Sequence, residues 1–186
     1  FAGEPGVADE VGVVNQDDAA GHEVNDEDDE EAASSPFERS RIAAGKVLWD
    51  YSVSEPHATQ LLRLPTLDAV ASAAPAASIA VAARLQEIAL GICGNICTHA
   101  SLRPAFLSSA AVGPTLGVFL LTTDAGSLTE ALRLFSAMAA SDSAVFWTAW
   151  TGDGSDVFLG KLCFILQNAL DFPLLARGCE LLFQLV

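Results

Sequence analysis

Residues 78–98 read SIAVAARLQEIALGICGNICT, and this stretch decides the fold. Its apolar residues recur at steps of three and four, the period of one buried stripe along a helix. They are Leu85, Ile88, Ala89, Ile92 and Ile96. Gly91 and Gly94 interrupt the stretch, and each would weaken an isolated helix by about 1 kcal/mol relative to Ala. We therefore expect the two glycines to let a neighbouring helix approach closely.

Two further segments predict helix starts. Ser35-Pro36-Phe37-Glu38 is a capping box, with Pro at the first helical position, and Ser127-Leu128-Thr129-Glu130 is predicted to be a second one. Other helices are expected from Ser54 to Pro65, after Thr66, near 101–109, near 113–122, around Phe146, from Phe158 to Leu170 and from Asp171 onward. Because alternating β-type runs do not occur in the sequence, we predict an all-α fold.

The helices follow a repeat. Leu85-Gln86-Glu87-Ile88 aligns with Leu128-Thr129-Glu130-Ala131 at an offset of 43, and Leu174-Leu175-Ala176-Arg177 follows after a further 46. A period of about 40–47 residues with two or three helices is typical of HEAT and armadillo proteins. The sequence thus predicts a short right-handed armadillo/HEAT-like solenoid of about three repeats, with a concave face for a protein partner.

Charge divides the 186 residues into two parts. The chain holds 24 acidic and 9 basic residues, a net charge of −15, and residues 1–40 alone contain 13 of the acids and one base. We expect residues 1–34 to form a disordered acidic tail and residues 35–186 to form the helical repeat domain. The acidic balance excludes nucleic acid as a partner, since neutralising phosphates requires a basic face.

Neither the longest uncharged stretch nor the cysteines point to a membrane or an extracellular protein. Pro104–Thr123 is uncharged, but Gly113 and Pro114 break it into two short helices rather than one membrane span. The cysteines Cys93, Cys97, Cys163 and Cys179 all lie in apolar runs. We expect them to be reduced core thiols, which favours a nuclear or cytoplasmic location.

The chain resembles the serum amyloid A-like (Saal) family of armadillo-type helical repeat proteins. The matching segments are Leu48-Trp49-Asp50, Arg84–Glu87 continuing into Gly91–Cys97, Leu128–Leu134, and Asp156–Gln167 with Leu162–Leu166 at its centre. Together they cover most of 47–186 in the same order, downstream of an acidic segment. The resemblance implies a nuclear, non-enzymatic protein linked to cell proliferation.

Three residues are candidates for partner binding. Asn95 ends the Ala89–Ile96 motif, where armadillo repeats carry an Asn, and Trp147 and Trp150 could form a binding hot spot if they are exposed rather than packed. Armadillo proteins that bind nuclear localisation signals also carry a Trp one turn before the Asn. Here Gly91 occupies that position, so such cargo binding is not expected.

An alternative hypothesis is a metal-binding or enzymatic protein centred on Cys93, Cys97 and His99. Two cysteines at i and i+4 share a helix face, but a structural zinc site needs four ligands. Core thiols followed by a His at the helix end are the simpler interpretation. Nucleophile and phosphate-binding motifs are missing from the sequence, so we predict no enzyme, no cofactor and no small-molecule substrate.

The last helix is too apolar for the end of a solenoid. From Leu174 onward only Arg177, Glu180 and Gln184 relieve its apolar character, whereas a terminal repeat needs a polar outer face. We expect that the natural protein continues by at least one helix, and that the 186-residue chain by itself associates with other copies.

Overall fold

The computed structural model describes residues 35–63, 79–109, 112–140 and 155–185, and every regular element in these ranges is an α-helix. Four helices form the centre of the fold: α1 (Pro36–Ser52), α3 (Ile79–Thr98), α6 (Ala125–Ala139) and α8 (Phe172–Leu185). The others are α2 (Glu55–Arg63), α4 (Arg103–Leu107), α5 (Val112–Leu121) and α7 (Ser155–Asn168). The all-α prediction is confirmed for these residues.

The four central helices pack in chain order. Helix α3 lies between α1 and α6, and α6 lies between α3 and α8. We call α1, α3, α6 and α8 the helix row. The remaining helices join it from their places in the chain: α2 contacts α1 and α3, α4 contacts α3, α5 contacts α6, and α7 contacts α5 and α8.

Aromatic rings fill the core beside α6. Phe119, Phe135 and Phe158 come from α5, α6 and α7, and all three are fully buried. Their ring centroids lie 5.0 to 5.3 Å apart in tilted or edge-to-face arrangements. Such geometry suits the ring quadrupoles, and burying each side chain contributes about 1.5–3 kcal/mol. These three rings therefore hold the second half of the domain together.

The first capping box is confirmed and the second is wrong. The Glu38 amide donates to Ser35 Oγ at 3.2 Å, and the Ser35 amide donates to Glu38 Oε2 at 2.8 Å. Helix α6, however, begins three residues earlier than the second box requires, because Asp124 accepts from the Ser127 amide at 2.7 Å. An upstream carboxylate has displaced Ser127 from the cap position to the third residue of the helix.

Two other expectations need correction. Leu170 lies beyond the end of α7 and is 99% exposed, since the buried stripe of that helix is Phe158, Leu162 and Ile165. The four cysteines are free but differ in burial. Cys93 and Cys97 are buried, as expected, whereas Cys163 and Cys179 are exposed. An apolar run alone does not say which side of a helix a thiol occupies.

Several expectations lie outside the described residues. They are the acidic tail 1–34, the helix after Thr66 and the short helix that carries Phe146, Trp147 and Trp150. The uncharged stretch is divided between α4 and α5, as predicted, but Gly113 and Pro114 lie in the first turn of α5 rather than between the two helices. Within the described ranges, none of the helices combines the length and the apolar character needed to cross a membrane.

Candidate functional site

Asn95 joins the carboxyl end of α1 to α3. Its Nδ2 donates to the Trp49 carbonyl at 3.2 Å and to Ser52 Oγ at 2.9 Å. Ser52 is fully buried, and its hydroxyl donates to the same Trp49 carbonyl at 2.6 Å. The last four carbonyls of a helix have no intrahelical donor. Asn95 and Ser52 together therefore cap a carbonyl that burial would otherwise leave unsatisfied.

One turn later, His99 continues this connection. Its ring nitrogen Nε2 lies 3.1 Å from the Val53 carbonyl, and because a carbonyl only accepts, the ring N–H donates. Ser101 Oγ also donates to the Glu55 carboxylate at the start of α2. The side chain of Asn95 near the end of α3, and those of His99 and Ser101 just beyond it, thus fix the turn between α1 and α2.

Arg133 of α6 contacts α3 from the other side. Its Nη1 donates to Asn95 Oδ1 at 3.0 Å, and its Nη2 donates to the Gly91 carbonyl at 3.1 Å. Glu130 holds the guanidinium in place, accepting from Nε at 2.8 Å and from Nη2 at 2.6 Å. We call Ser52, Asn95, Glu130 and Arg133 the polar seam, since they connect three consecutive members of the helix row.

The two glycines of α3 make room for these contacts. A Cβ on Gly91 would lie 2.2 Å from Cε2 of Trp49, and a Cβ on Gly94 would lie 2.8 Å from Nη2 of Arg133. The expectation that both glycines permit close approach is confirmed. The groups that approach are an indole and a guanidinium, rather than the backbone of another helix.

A second ion pair lies towards the start of α3. Arg84 Nη1 and Glu87 Oε2 are 2.5 Å apart, and both side chains are about four-fifths buried. The Glu87 carboxyl carbon would lie 3.0 Å from a Cβ on Gly126, which places this anion at the amino end of α6 where the helix dipole favours it. Ser127 Oγ donates to the Ala83 carbonyl at 3.2 Å and completes this end of the α3–α6 contact.

The predicted partner-binding residues have different outcomes. The side-chain nitrogen and oxygen of Asn95 both make internal hydrogen bonds, so this side chain is part of the scaffold. Partner binding through Asn95 stays a prediction. Trp147 and Trp150 lie outside the described residues. Sequence reasoning missed Arg133 and Ser52. Two signals were available in the sequence. One was the spacing of three between Glu130 and Arg133, which favours an ion pair on one helix face, and the other was the pair of glycines in another helix.

The Cys93, Cys97 and His99 cluster shows no metal geometry. Among the described residues, groups of three or more His, Cys, Asp or Glu that could hold a metal ion are absent. Burial raises the pKa of Cys93 to about 12, although a hydrogen bond with Thr115 opposes the rise. Burial also raises the pKa of Cys97 well above its usual value. Both thiols therefore disfavour the thiolate form that binds metals.

Comparison with known proteins gives no relative on which to base a function. No family model matches the chain, and neither a curated protein nor a solved structure is similar to it.

Proposed function

We propose that this chain is a non-enzymatic scaffold for protein–protein interaction, which binds a partner along the side of the helix row that carries the polar seam. The proposal includes a right-handed, armadillo-like solenoid of about three repeats. Its support is the register of the hydrogen bonds between neighbouring helices. They join Asn95 to Trp49, Arg133 to Gly91 and Ser127 to Ala83, which are 46, 42 and 44 residues apart.

These separations agree with the offsets of 43 and 46 read from the sequence. In a repeat protein each unit contacts the next, so contacts between neighbours recur at one period. A stack of this kind presents an extended face, and such faces bind peptides or helices of other proteins.

The observation that carries the binding site is the placement of half-buried polar groups on one side of two adjacent helices. On α3, Arg84, Glu87, Asn95 and Thr98 recur with Gly91 at three- and four-residue steps, so they share one face. On α6, Glu130, Arg133 and Ala137 follow the same spacing and are also partly exposed. A partner that lies across both helices would meet the polar side chains of this face of α3 together with Glu130 and Arg133 of α6.

Charge pairing along this row favours a particular kind of partner. Arg84 pairs with Glu87, and Arg133 pairs with Glu130, so the face carries little net charge. A polyanion gains little from such a surface, whereas a polypeptide backbone supplies donors and acceptors that suit it. The partner proposed is therefore a protein segment without a strong charge.

The resemblance to the serum amyloid A-like family belongs to the same proposal. Membership would place the chain among armadillo-type proteins linked to cell proliferation, in the nucleus or the cytoplasm. The acidic composition and the absence of a disulfide among the four cysteines are consistent with it.

Site-specific photo-crosslinking tests the proposed face. A photoreactive phenylalanine derivative replaces Thr98 or Ala137 beside the polar seam, and matched variants carry it at the exposed Ala105 of α4 or Gln167 of α7. Each full-length variant is irradiated in cell extract with and without excess unlabelled chain.

We expect adducts of discrete mass from Thr98 and Ala137 that the unlabelled chain removes by competition. Adducts that form equally from Ala105 and Gln167, or competed adducts from these two positions alone, would show that the partner binds elsewhere.

A further inference from the structure

Helix α8 carries two apolar stripes, and one of them packs inside the domain. Leu174, Gly178 and Leu181 are buried, and Leu185 packs partly against the core. A Cβ on Gly178 would lie 2.9 Å from Cδ2 of Leu166, so α7 approaches closely on this side. The inner stripe thus accounts for the contacts of α8 with α6 and α7.

The second stripe faces away from these contacts. We call it the outer stripe, and it consists of Phe172, Leu175, Cys179, Leu182 and Phe183. The first four follow steps of three, four and three, and all five fall within about 100° of the helix circumference. Phe172 is 80% exposed, Phe183 is 86% exposed and Leu182 is 40% exposed. Steps of three and four are the spacing with which one helix packs along another.

Comparison with the other helices of the row shows that the outer stripe of α8 lacks a packing neighbour among the described residues. Helices α3 and α6 each have a neighbour of the row on both sides, whereas α8 contacts only α6 among the row helices that the structure describes. Its outer stripe holds no charged residue, and the two charges of α8, Arg177 and Glu180, pair with each other at 2.8 Å on a different side. A charged partner would find no complementary group there, while an identical uncharged stripe matches it.

The exposed area sets the strength of such a pairing. Two phenylalanine side chains exposed by about four-fifths present roughly 300 Å² of apolar surface, and Leu182 adds to it. Two copies would together bury roughly 750 Å² of this surface, which is below the range of stable interfaces and corresponds to a weak complex. An apolar patch of this size is comparable with the largest patch on a typical monomer, and such patches are often functional.

We propose that the outer stripe of α8 is a homodimer interface, in which two copies pair antiparallel about a two-fold axis near Cys179. A two-fold pairing is isologous, so the same stripe is used on both chains. Helix α8 has no net charge, while the whole chain carries −15, so copies repel each other least where the α8 helices meet.

Sedimentation equilibrium of the full chain from 2 to 200 µM tests the proposal. We expect a monomer–dimer equilibrium with a dissociation constant in the micromolar range. Phe183→Glu should weaken it at least thirty-fold, because a carboxylate would be buried without a partner. The matched control is Phe37→Glu on α1, where the phenylalanine is 71% exposed and the dissociation constant should not change.

A bismaleimide crosslinker identifies the paired surface independently. Cys163 and Cys179 are both exposed, so single Cys→Ser variants separate them. Crosslinked dimer should persist in Cys163→Ser and disappear in Cys179→Ser. A monomer at 200 µM, or crosslinking that requires Cys163 instead, would overturn the proposal. A lower unfolding midpoint of monomeric Phe183→Glu would also overturn it, since a segment of the same chain would then cover the stripe.

Discussion

The Trp49 indole lies so close to Gly91 that a Cβ there would be 2.2 Å from its Cε2, so a larger residue requires the indole to move. The indole of α1 lies against the bare backbone of α3, and the Trp49 carbonyl accepts from Asn95 one turn further along α3. The apolar packing of the α1–α3 contact and the hydrogen bonding of its polar groups therefore depend on the same few residues.

Gly91→Ala should lower the free energy of unfolding by about 2–3 kcal/mol, because the indole must leave its position and lose its packing against the core. Urea unfolding followed by circular dichroism measures it. The control is Gly160→Ala in α7, where a Cβ would meet no described atom within 4 Å. That variant should be stabilised by about 0.5–1 kcal/mol through helix propensity. Equal effects at the two glycines would contradict the proposed contact.

Asn95→Ala should cost about 2 kcal/mol, because it leaves the Trp49 carbonyl with fewer donors and removes an acceptor from Arg133. A double-mutant cycle with Arg133→Ala should give a coupling energy of about 1 kcal/mol. Asn168 provides a matched control, since within the described part of the chain its amide donates to an exposed carbonyl of its own helix, that of Phe164. Its replacement by Ala should change stability by less than about 0.5 kcal/mol. Additive effects of Asn95→Ala and Arg133→Ala on the free energy of unfolding would show that the residues of the polar seam do not act as a unit.

Local sequence patterns predicted the helices better than the contacts between them. The Ser35 cap and the long helix ending at Thr98 depend on neighbours within a few residues, and both are observed. The uncharged stretch is divided into two helices as predicted, but the second helix already includes Gly113 and Pro114. The two glycines predicted a close approach, but the identity of the approaching side chains depends on residues more than 40 positions away. The sequence therefore indicated a close approach at Gly91 and Gly94 without identifying Trp49 and Arg133 as the side chains that approach.

The capping prediction at Ser127 failed for a related reason. Ser127-Leu128-Thr129-Glu130 has the right residues, but Asp124 precedes it and caps the helix first. Ser127 is then buried against the Ala83 carbonyl, and Glu130 pairs with Arg133. Ser127 thus has a tertiary partner on α3 and Glu130 has a partner within α6, and these contacts outweigh the local capping preference of the motif.

Stability should fall as the pH rises above about 8.5, because of Cys93. The folded state holds the proton of this thiol up to a pKa of about 12, whereas an unfolded thiol loses it near 8.5. Between these values the unfolded chain binds fewer protons, so the free energy of unfolding decreases with pH, by about 1.4 kcal/mol per unit at most. Urea unfolding at pH 8 and pH 10 should show a smaller loss for Cys93→Ala than for the exposed control Cys163→Ala. Identical losses in the two variants would rule out Cys93 as the cause.

The acidic tail should be dispensable for folding, whereas Ser35 should contribute measurably to stability. A chain that begins at Ala33 retains the capping box, in which Ser35 and Glu38 exchange two hydrogen bonds, and its thermal midpoint should stay within a few degrees of the full chain. In that shortened chain, Ser35→Ala should cost about 1 kcal/mol and lower the midpoint by about 2–4 °C. Ser40→Ala removes only a hydroxyl that donates to the Pro36 carbonyl within the same exposed turn, so its midpoint should not move. Differential scanning calorimetry of the four chains decides the matter, and a large fall on removing residues 1–32 would show that the tail contributes to the folded domain.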